Sequence, residues 1–385
     1  MISRLILIIL VLFLFACREE FLLSFKTDEK VLVVEGEITN SSGPYSVRLS
    51  TSLPVNQPLK VPLQKCSVTI SDNNGFSELL AESEPGVYVT DKAGIKGEVG
   101  NSYSLKVKTP DGKVYSTAYQ QMKAPVEIDS VFAELTTQEN LDFPFGLPGM
   151  QFFISTKAAS EEAHFLWNLT ETYKYEADYK LHAIYHFGDY YYTNRHMDTI
   201  ASIAGMDYDT VLTCYNSKTV KSIFTGKTGN LSVAQINRQP FHFVSTASKK
   251  LSMRYSLFVQ QLTVGEAAYY FWNSIQEQTT DENFLYTKQP YNIAGNLKNE
   301  EIENELTFGF FTVASVSTKR IFVNRPNTTF YIEKGYLAEP LELHKKKQPV
   351  LLVLTDDGVF FSHEDCFDCR TEGGEINKPD FWFDN

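Results

Sequence analysis

The densest group of side chains capable of chemistry lies between residues 181 and 198. This stretch, LHAIYHFGDYYYTNRHMD, contains His182, His186 and His196. The first two are four residues apart, which places them on the same side of a helix or a strand. Three imidazoles this close in sequence could bind a transition metal. A solvated, aromatic-rich loop is the simpler interpretation, and we predict no metal and no cofactor.

The same stretch is also rich in tyrosine. Exposed aromatic rings on a loop can stack on sugars or anchor a peptide, whereas buried rings fill the core beneath the loop. The sequence leaves both interpretations open. We expect a loop or an extended hairpin here, and its candidate ligand contacts are Tyr185, Tyr190, Tyr191 and Tyr192.

Four cysteines lie beyond the N-terminal segment: Cys66, Cys214, Cys366 and Cys369. The last two form H-x-x-C-x-x-C with His363, but no second ligand pair and no thioredoxin-like βαβ pattern accompanies them. A structural disulfide is therefore favoured over a metal site or a redox site. We expect Cys214 to pair with Cys366 or Cys369. Such a bridge closes a loop of roughly 150 residues and contributes about 4–5 kcal/mol in the loop-entropy model.

The short motifs of well-known catalytic sites do not occur in this chain. It has no G-x-S-x-G, no H-E-x-x-H, no P-loop and no G-x-G-x-x-G. Neighbouring carboxylates such as Asp356 and Asp357 are expected in an acidic chain, and with Gly358 they are typical of a turn. We assign no catalytic residue and favour a non-catalytic protein.

The N-terminus is typical of a lipoprotein signal peptide. Residues 5–16 are an unbroken apolar run after the positively charged Arg4. A helix of this length spans about 18 Å, too short for a hydrocarbon core of about 30 Å. The run ends in Leu-Phe-Ala-Cys, which fits a bacterial lipobox, so residues 1–16 are the predicted signal peptide. Cys17 is then the predicted site of lipidation by fatty acyl chains such as palmitate.

The residues that follow Cys17 indicate a location. Arg18, Glu19 and Glu20 resemble the export signal of surface lipoproteins of Bacteroidota, in which acidic residues follow the acylated cysteine. Residues 17–30 would form the lipidated cysteine and its tether. We therefore predict a lipid-anchored protein of the outer membrane that faces the extracellular side. The formal net charge of −12 disfavours nucleic acid as a partner.

The elements that position these residues are predicted to be mainly β-strands. Residues 31–125 contain short alternating runs separated by turn sequences, which predicts an immunoglobulin-like antiparallel β-sandwich. Residues 126–385 predict a larger antiparallel β-rich domain. One amphipathic helix is expected near residues 264–279, with Thr263 as its N-cap and Glu266 completing a capping box.

Four segments together resemble the domain-of-unknown-function family 4249. They are, in order, VLVVEGEITNSSGPYSVRLSTS, EAAYYFWNSIQEQT, YNIAGNLKNEEIENELTFGFFTVASVSTKRIFV and CFDCRTEGGEINKPDFW. The resemblance spans most of residues 31–382. It implies an exported lipoprotein of Bacteroidota, often associated with TonB-dependent outer-membrane receptors that import nutrients. It implies no catalytic residue.

The function that we expect from the sequence follows from this predicted location. It is a non-catalytic accessory or ligand-capture subunit of a TonB-dependent nutrient-uptake system. The alternative is a surface glycan-binding or peptide-binding protein, or a hydrolase, that uses residues 181–198.

Overall fold

A computed structural model of the protein describes residues 31–52, 61–158, 162–229, 234–280, 293–303, 305–338 and 346–384. The predicted lipidation site Cys17 and the predicted export residues Arg18, Glu19 and Glu20 lie outside these ranges. Within them, most regular elements are β-strands in four sheets, which confirms the predicted mainly β fold. No helix in the described part of the chain is long and apolar enough to span a membrane.

The elements follow one another in this order. The strands of the first part are β1 (Leu32–Thr39), β2 (Ser46–Thr51), β3 (Val61–Pro62), β4 (Ser67–Asp72), β5 (Ser77–Leu79), β6 (Ala81–Glu84), β7 (Val87–Val89), β8 (Ser102–Lys108), β9 (Val114–Ser116) and β10 (Gln120–Gln121). The next strands are β11 (Ile128–Asn140), β12 (Phe143–Lys157), β13 (His164–Glu176), β14 (Ala183–His186), β15 (Asp189–Tyr192), β16 (Thr213–Thr219), β17 (Thr225–Lys227) and β18 (Gln235–Ser245).

The last strands are β19 (Arg254–Val264), β20 (Lys298–Asn299), β21 (Thr307–Asn324), β22 (Val350–Thr355) and β23 (Gly358–Phe361). The α-helices of the described ranges are α1 (Thr193–Ala204) and α2 (Glu266–Thr280). Short 3-10 helices occupy Lys249–Leu251, Glu364–Phe367 and Cys369–Glu372.

The largest sheet, sheet A, contains strands from both halves of the chain. Its order is β16-β13-β19-β21-β1-β2-β7-β6, with β17 beside β13 and β3 beside β2. Its neighbours are antiparallel except β1 and β21, which run parallel from the Leu32–Thr307 pair to the Thr39–Ala314 pair. The division of the chain at residue 125 stays a prediction, although this sheet joins strands from both sides of it.

A β-sandwich forms where sheet B packs on the first part of sheet A. Sheet B has the order β20-β9-β8-β4-β5, with β10 beside β8. Alternating residues of strands such as β2 and β8 point into the shared core, as expected for a sheet with one face in water. Leu297, Phe311 and Val313 from the C-terminal half also belong to this core. Residues far apart in sequence are therefore needed to close the sandwich.

A second core lies between sheet A and sheet C, which consists of β11, β12 and β18 in that order. Phe152 of β12, Trp167 of β13 and Leu257 of β19 are buried there. The indole Nε1 of Trp167 donates a 2.9 Å hydrogen bond to the Gln261 side chain, so this buried polar group is satisfied.

Helix α2 confirms the predicted amphipathic helix, but its start differs from the prediction. Ala268 and Phe271 are buried against sheet A, as their spacing indicates. Thr263 is not the N-cap, because it is a residue of β19, and its hydroxyl accepts a 3.2 Å hydrogen bond from the Val126 amide. The ladder between β13 and β19 extends through Val264, so the helix begins only at Glu266.

Sheet D, in the order β15-β14-β22-β23, carries the tyrosine-rich stretch. Residues 183–192 form a hairpin, as expected, whereas the residues from Thr193 onward form helix α1. Ile200 of α1 is buried against Ile184, Leu351 and neighbouring residues of sheet D. The helix therefore covers one face of this sheet.

The predicted disulfide is present between Cys214 and Cys369, with a Cα–Cα distance of 5.7 Å. Both cysteines are fully buried. Cys66 and Cys366 are free thiols and half-buried. Because the sulfur of Cys369 is bonded to Cys214, the H-x-x-C-x-x-C sequence does not provide two free thiolates for a metal.

Candidate functional site

The hairpin of β14 and β15 fixes which tyrosines are exposed. Its strands pair in the order Ala183–Tyr192, Ile184–Tyr191, Tyr185–Tyr190 and His186–Asp189. The two residues of the turn, Phe187 and Gly188, both have positive φ, 48° and 108°. Two positive φ values in a two-residue loop are the geometry of a type I′ turn, which sets the register of the strands. The register then decides which side of the sheet each ring occupies.

Tyr190 and Tyr192 lie on the face of sheet D away from α1. Their exposed fractions are 48% and 42%, and their rings stack with centroids 6.5 Å apart and an angle of 23° between the ring planes. Tyr185, directly opposite Tyr190, is buried, and the two ring centroids are 5.1 Å apart. Tyr191 is half-buried on the α1 side. The structure thus brings together three of the four tyrosines and separates the fourth.

Residues of β22 and β23 complete this face. Val350 and Leu352 are buried beside Tyr185, and half-buried Phe361 packs against them. The Lys346 ammonium lies 5.0 Å from the centre of the Phe361 ring, within the range of a cation–π contact. We call Tyr185, Tyr190, Tyr192 and Phe361 the tyrosine face.

Sequence reasoning missed the contribution of β22 and β23. These strands lie far beyond the hairpin in the sequence, yet β14 pairs with β22 through Ala183–Leu352 to Tyr185–Val350. The available signal was the apolar run VLLVL, which is typical of a strand buried on both faces. That pattern does not specify which neighbouring strand it pairs with.

The three histidines each contact a different aromatic ring. The ring of His182 meets that of Tyr192 edge-on at 5.5 Å, and the ring of His186 lies 4.4 Å from that of Phe187. The ring of His196 meets that of Tyr191 on the α1 side. In the described part of the chain, no three His, Cys, Asp or Glu side chains are arranged to hold a metal ion.

The tyrosine face is suited to stacking. Its exposed rings are stacked on each other and backed by buried side chains, so a ligand would not need to order them. Flat, amphipathic rings of this kind bind the apolar faces of sugars or the side chains of peptides.

The fold and this face define a mainly β protein with an exposed aromatic surface on a small accessory sheet. Residues 18–320 match the family described as "Domain of unknown function (DUF4249)". The match covers more than half of the chain, so the protein belongs to this family. No curated protein matches the chain.

Proposed function

We propose that this protein is a lipid-anchored, non-catalytic ligand-capture subunit that assists a TonB-dependent nutrient-uptake system at the outer membrane. The observation that carries the ligand-capture part is the stacked, exposed pair Tyr190 and Tyr192 on a hairpin of fixed register. The lipobox cysteine Cys17 and the acidic residues after it support the location. The proposed ligand is a glycan or a peptide.

A lipid anchor would explain how a weak binder could still be effective. Confinement to the membrane raises the local concentration of the protein beside a membrane partner. The two tyrosines could then hold a nutrient briefly and release it to the receptor. Strong contacts between the two proteins would not be required.

The composition of the tyrosine face supports binding rather than catalysis. Its side chains are phenol and phenyl rings backed by aliphatic residues. The His182 imidazole beside this face meets the Tyr192 ring edge-on at 5.5 Å, which is an aromatic packing contact.

A binding screen tests the ligand-capture proposal. The purified protein is screened on glycan and peptide arrays, and the affinity of each hit is measured for the wild type and for Tyr190→Ala/Tyr192→Ala. Two stacking contacts of about 1 kcal/mol each predict an affinity loss of about 30-fold. The matched control is Tyr119→Ala/Tyr270→Ala, which removes two similarly exposed tyrosines elsewhere. Equal affinity for the wild type and the Tyr190→Ala/Tyr192→Ala variant would contradict the proposal.

An uptake measurement tests the transporter part separately. Affinity purification in mild detergent should recover a TonB-dependent receptor, and deletion of the protein should slow uptake of the bound nutrient. Normal uptake without co-purification would favour the alternative, a surface protein that binds glycans or peptides by the same face without assisting a transporter.

A further inference from the structure

A cavity of about 570 Å³ opens at the end of sheet D, beside the end of α1. Its lining comes from four separate segments: the end of α1 with the turn after it, Tyr336, the residues that lead into β22, and the end of β23 with the chain that follows it. Ligand pockets in proteins commonly enclose about 300–1,000 Å³, so this cavity is large enough for a small organic molecule.

One wall of the cavity is apolar. Tyr208 and Leu351 line it, and both are buried in the core between α1 and sheet D. Phe361, which also belongs to the tyrosine face, lies at the edge of the same wall. These side chains are held by packing on their far sides, so the wall does not depend on a ligand for its shape.

The cavity lining also carries positive charge. Lys346 and Lys347 line the cavity and are exposed, and neither ammonium forms an ion pair with another described residue. Among the described lining residues, Glu364 is the one carboxylate, so positive charges outnumber negative ones there. A local excess of positive charge is unusual in a chain whose net charge is −12. Two such ammonium groups beside an apolar wall attract an anion that also has an apolar part.

We propose that this cavity binds a small amphipathic anion. Its aromatic or aliphatic body would lie against Tyr208 and Leu351, and its carboxylate or similar acidic group would face Lys346 and Lys347. This inference goes beyond the tyrosine face, because the cavity shares Phe361 with that face but is lined by none of its tyrosines. It does not depend on a lipid anchor or on a transporter.

A pair of matched probes tests the charge requirement. Binding of 2-naphthoate and of 2-naphthylmethylammonium to the whole purified protein is measured by isothermal titration calorimetry. The two probes share one apolar body and differ in the sign of their charge. We expect the anion to bind at least tenfold more tightly than the cation. Equal affinities, or no binding of naphthoate, would overturn the proposal.

Two variants test the location. Lys346→Ala/Lys347→Ala should weaken naphthoate about fivefold, as expected for two exposed charge contacts. The control Lys92→Ala/Lys96→Ala removes the same charge from a distant exposed stretch and should leave the affinity unchanged. An equal loss in both variants would show a general charge effect and overturn the site.

A filled cavity gives a second, independent test of location. Ala204 is half-buried and lines the cavity, so Ala204→Trp should occupy the space and abolish naphthoate binding. An unchanged unfolding midpoint would show that this variant is folded, and wild-type affinity in it would overturn the proposal. A negative result in any of these naphthoate experiments would leave the ligand-capture proposal intact, because that proposal is tested with glycans and peptides.

Discussion

Removal of the Cys214–Cys369 disulfide should destabilise the protein mainly by raising the conformational entropy of the unfolded chain. The bridge joins residues 155 apart. The loop-entropy model gives about 5 kcal/mol for a loop of this length at 25 °C. Both cysteines are fully buried, so Cys214→Ala/Cys369→Ala keeps an apolar environment and leaves no polar group without a partner.

The C-terminal segment, residues 369–384, should stay in place without the disulfide, because other contacts hold it. The Tyr175 hydroxyl donates a 2.6 Å hydrogen bond to the Cys369 carbonyl oxygen. Tyr215 and Glu375 exchange two backbone hydrogen bonds of 2.8 Å. Trp382 is buried against Tyr215, with their ring centroids 5.3 Å apart. The near-UV circular dichroism of the variant should therefore match that of the wild type.

Urea unfolding, followed by tryptophan fluorescence, measures the loss in the free energy of unfolding. If the free energy of unfolding falls by about 3 kcal/mol per molar urea, a loss of about 5 kcal/mol lowers the urea midpoint by about 1.7 M. Dithiothreitol should produce the same shift in the wild type and none in the variant. The matched control is Cys366→Ala, which removes a free, half-buried thiol close to Cys369 in the sequence and should cost less than about 1 kcal/mol. If the double variant and this control unfold at the same urea concentration, the loop-entropy reasoning is refuted.

Three further predictions concern pH, backbone geometry and surface exposure. Burial lowers the pKa of His242 to about 4, so the unfolded chain gains a proton below pH 6.5 that the folded chain does not. The free energy of unfolding should therefore fall by about 2 kcal/mol from pH 7 to pH 5, and urea titrations of His242→Asn should show a smaller fall. Gly309 has a φ of 80°, and a Cβ there would collide with the backbone of β1, so Gly309→Ala should lower the thermal midpoint. The control Gly265→Ala should leave the thermal midpoint unchanged, because the added Cβ has no atom within 4 Å. Replacement of Glu19 and Glu20 by Ala should leave acylation intact but reduce protease accessibility on whole cells; unchanged accessibility would contradict the predicted surface location.

Part of the candidate site was predictable because its signals are local. The tyrosines and the hairpin follow from a short stretch of sequence, and Phe187-Gly188 forms the tight turn within it. The division of the rings between two faces required the register of the hairpin. Tyr190 and Tyr191 are adjacent in the sequence, but adjacent residues in a strand point to opposite faces, so only Tyr190 belongs to the tyrosine face.

The sequence by itself determined the features that depend on neighbouring residues. The turn at Pro110-Asp111-Gly112 separates β8 from β9, and the periodicity of α2 buries Ala268 and Phe271 as expected. These signals arise from backbone preferences and from the alternation of apolar side chains over short distances along the chain, so they can be recognised without knowledge of the remaining sequence.

Only the tertiary structure decided which distant segments meet. It selected Cys369 over Cys366 as the partner of Cys214, paired β1 with β21 in parallel, and placed β22 beside the tyrosine hairpin. It also gathered Lys346 and Tyr208 around one cavity. Each of these contacts joins segments that are far apart in the sequence, and many apolar strands of similar composition could compete for the same position. The choice between them is made by burial and packing of the whole molecule, which no short stretch of sequence encodes.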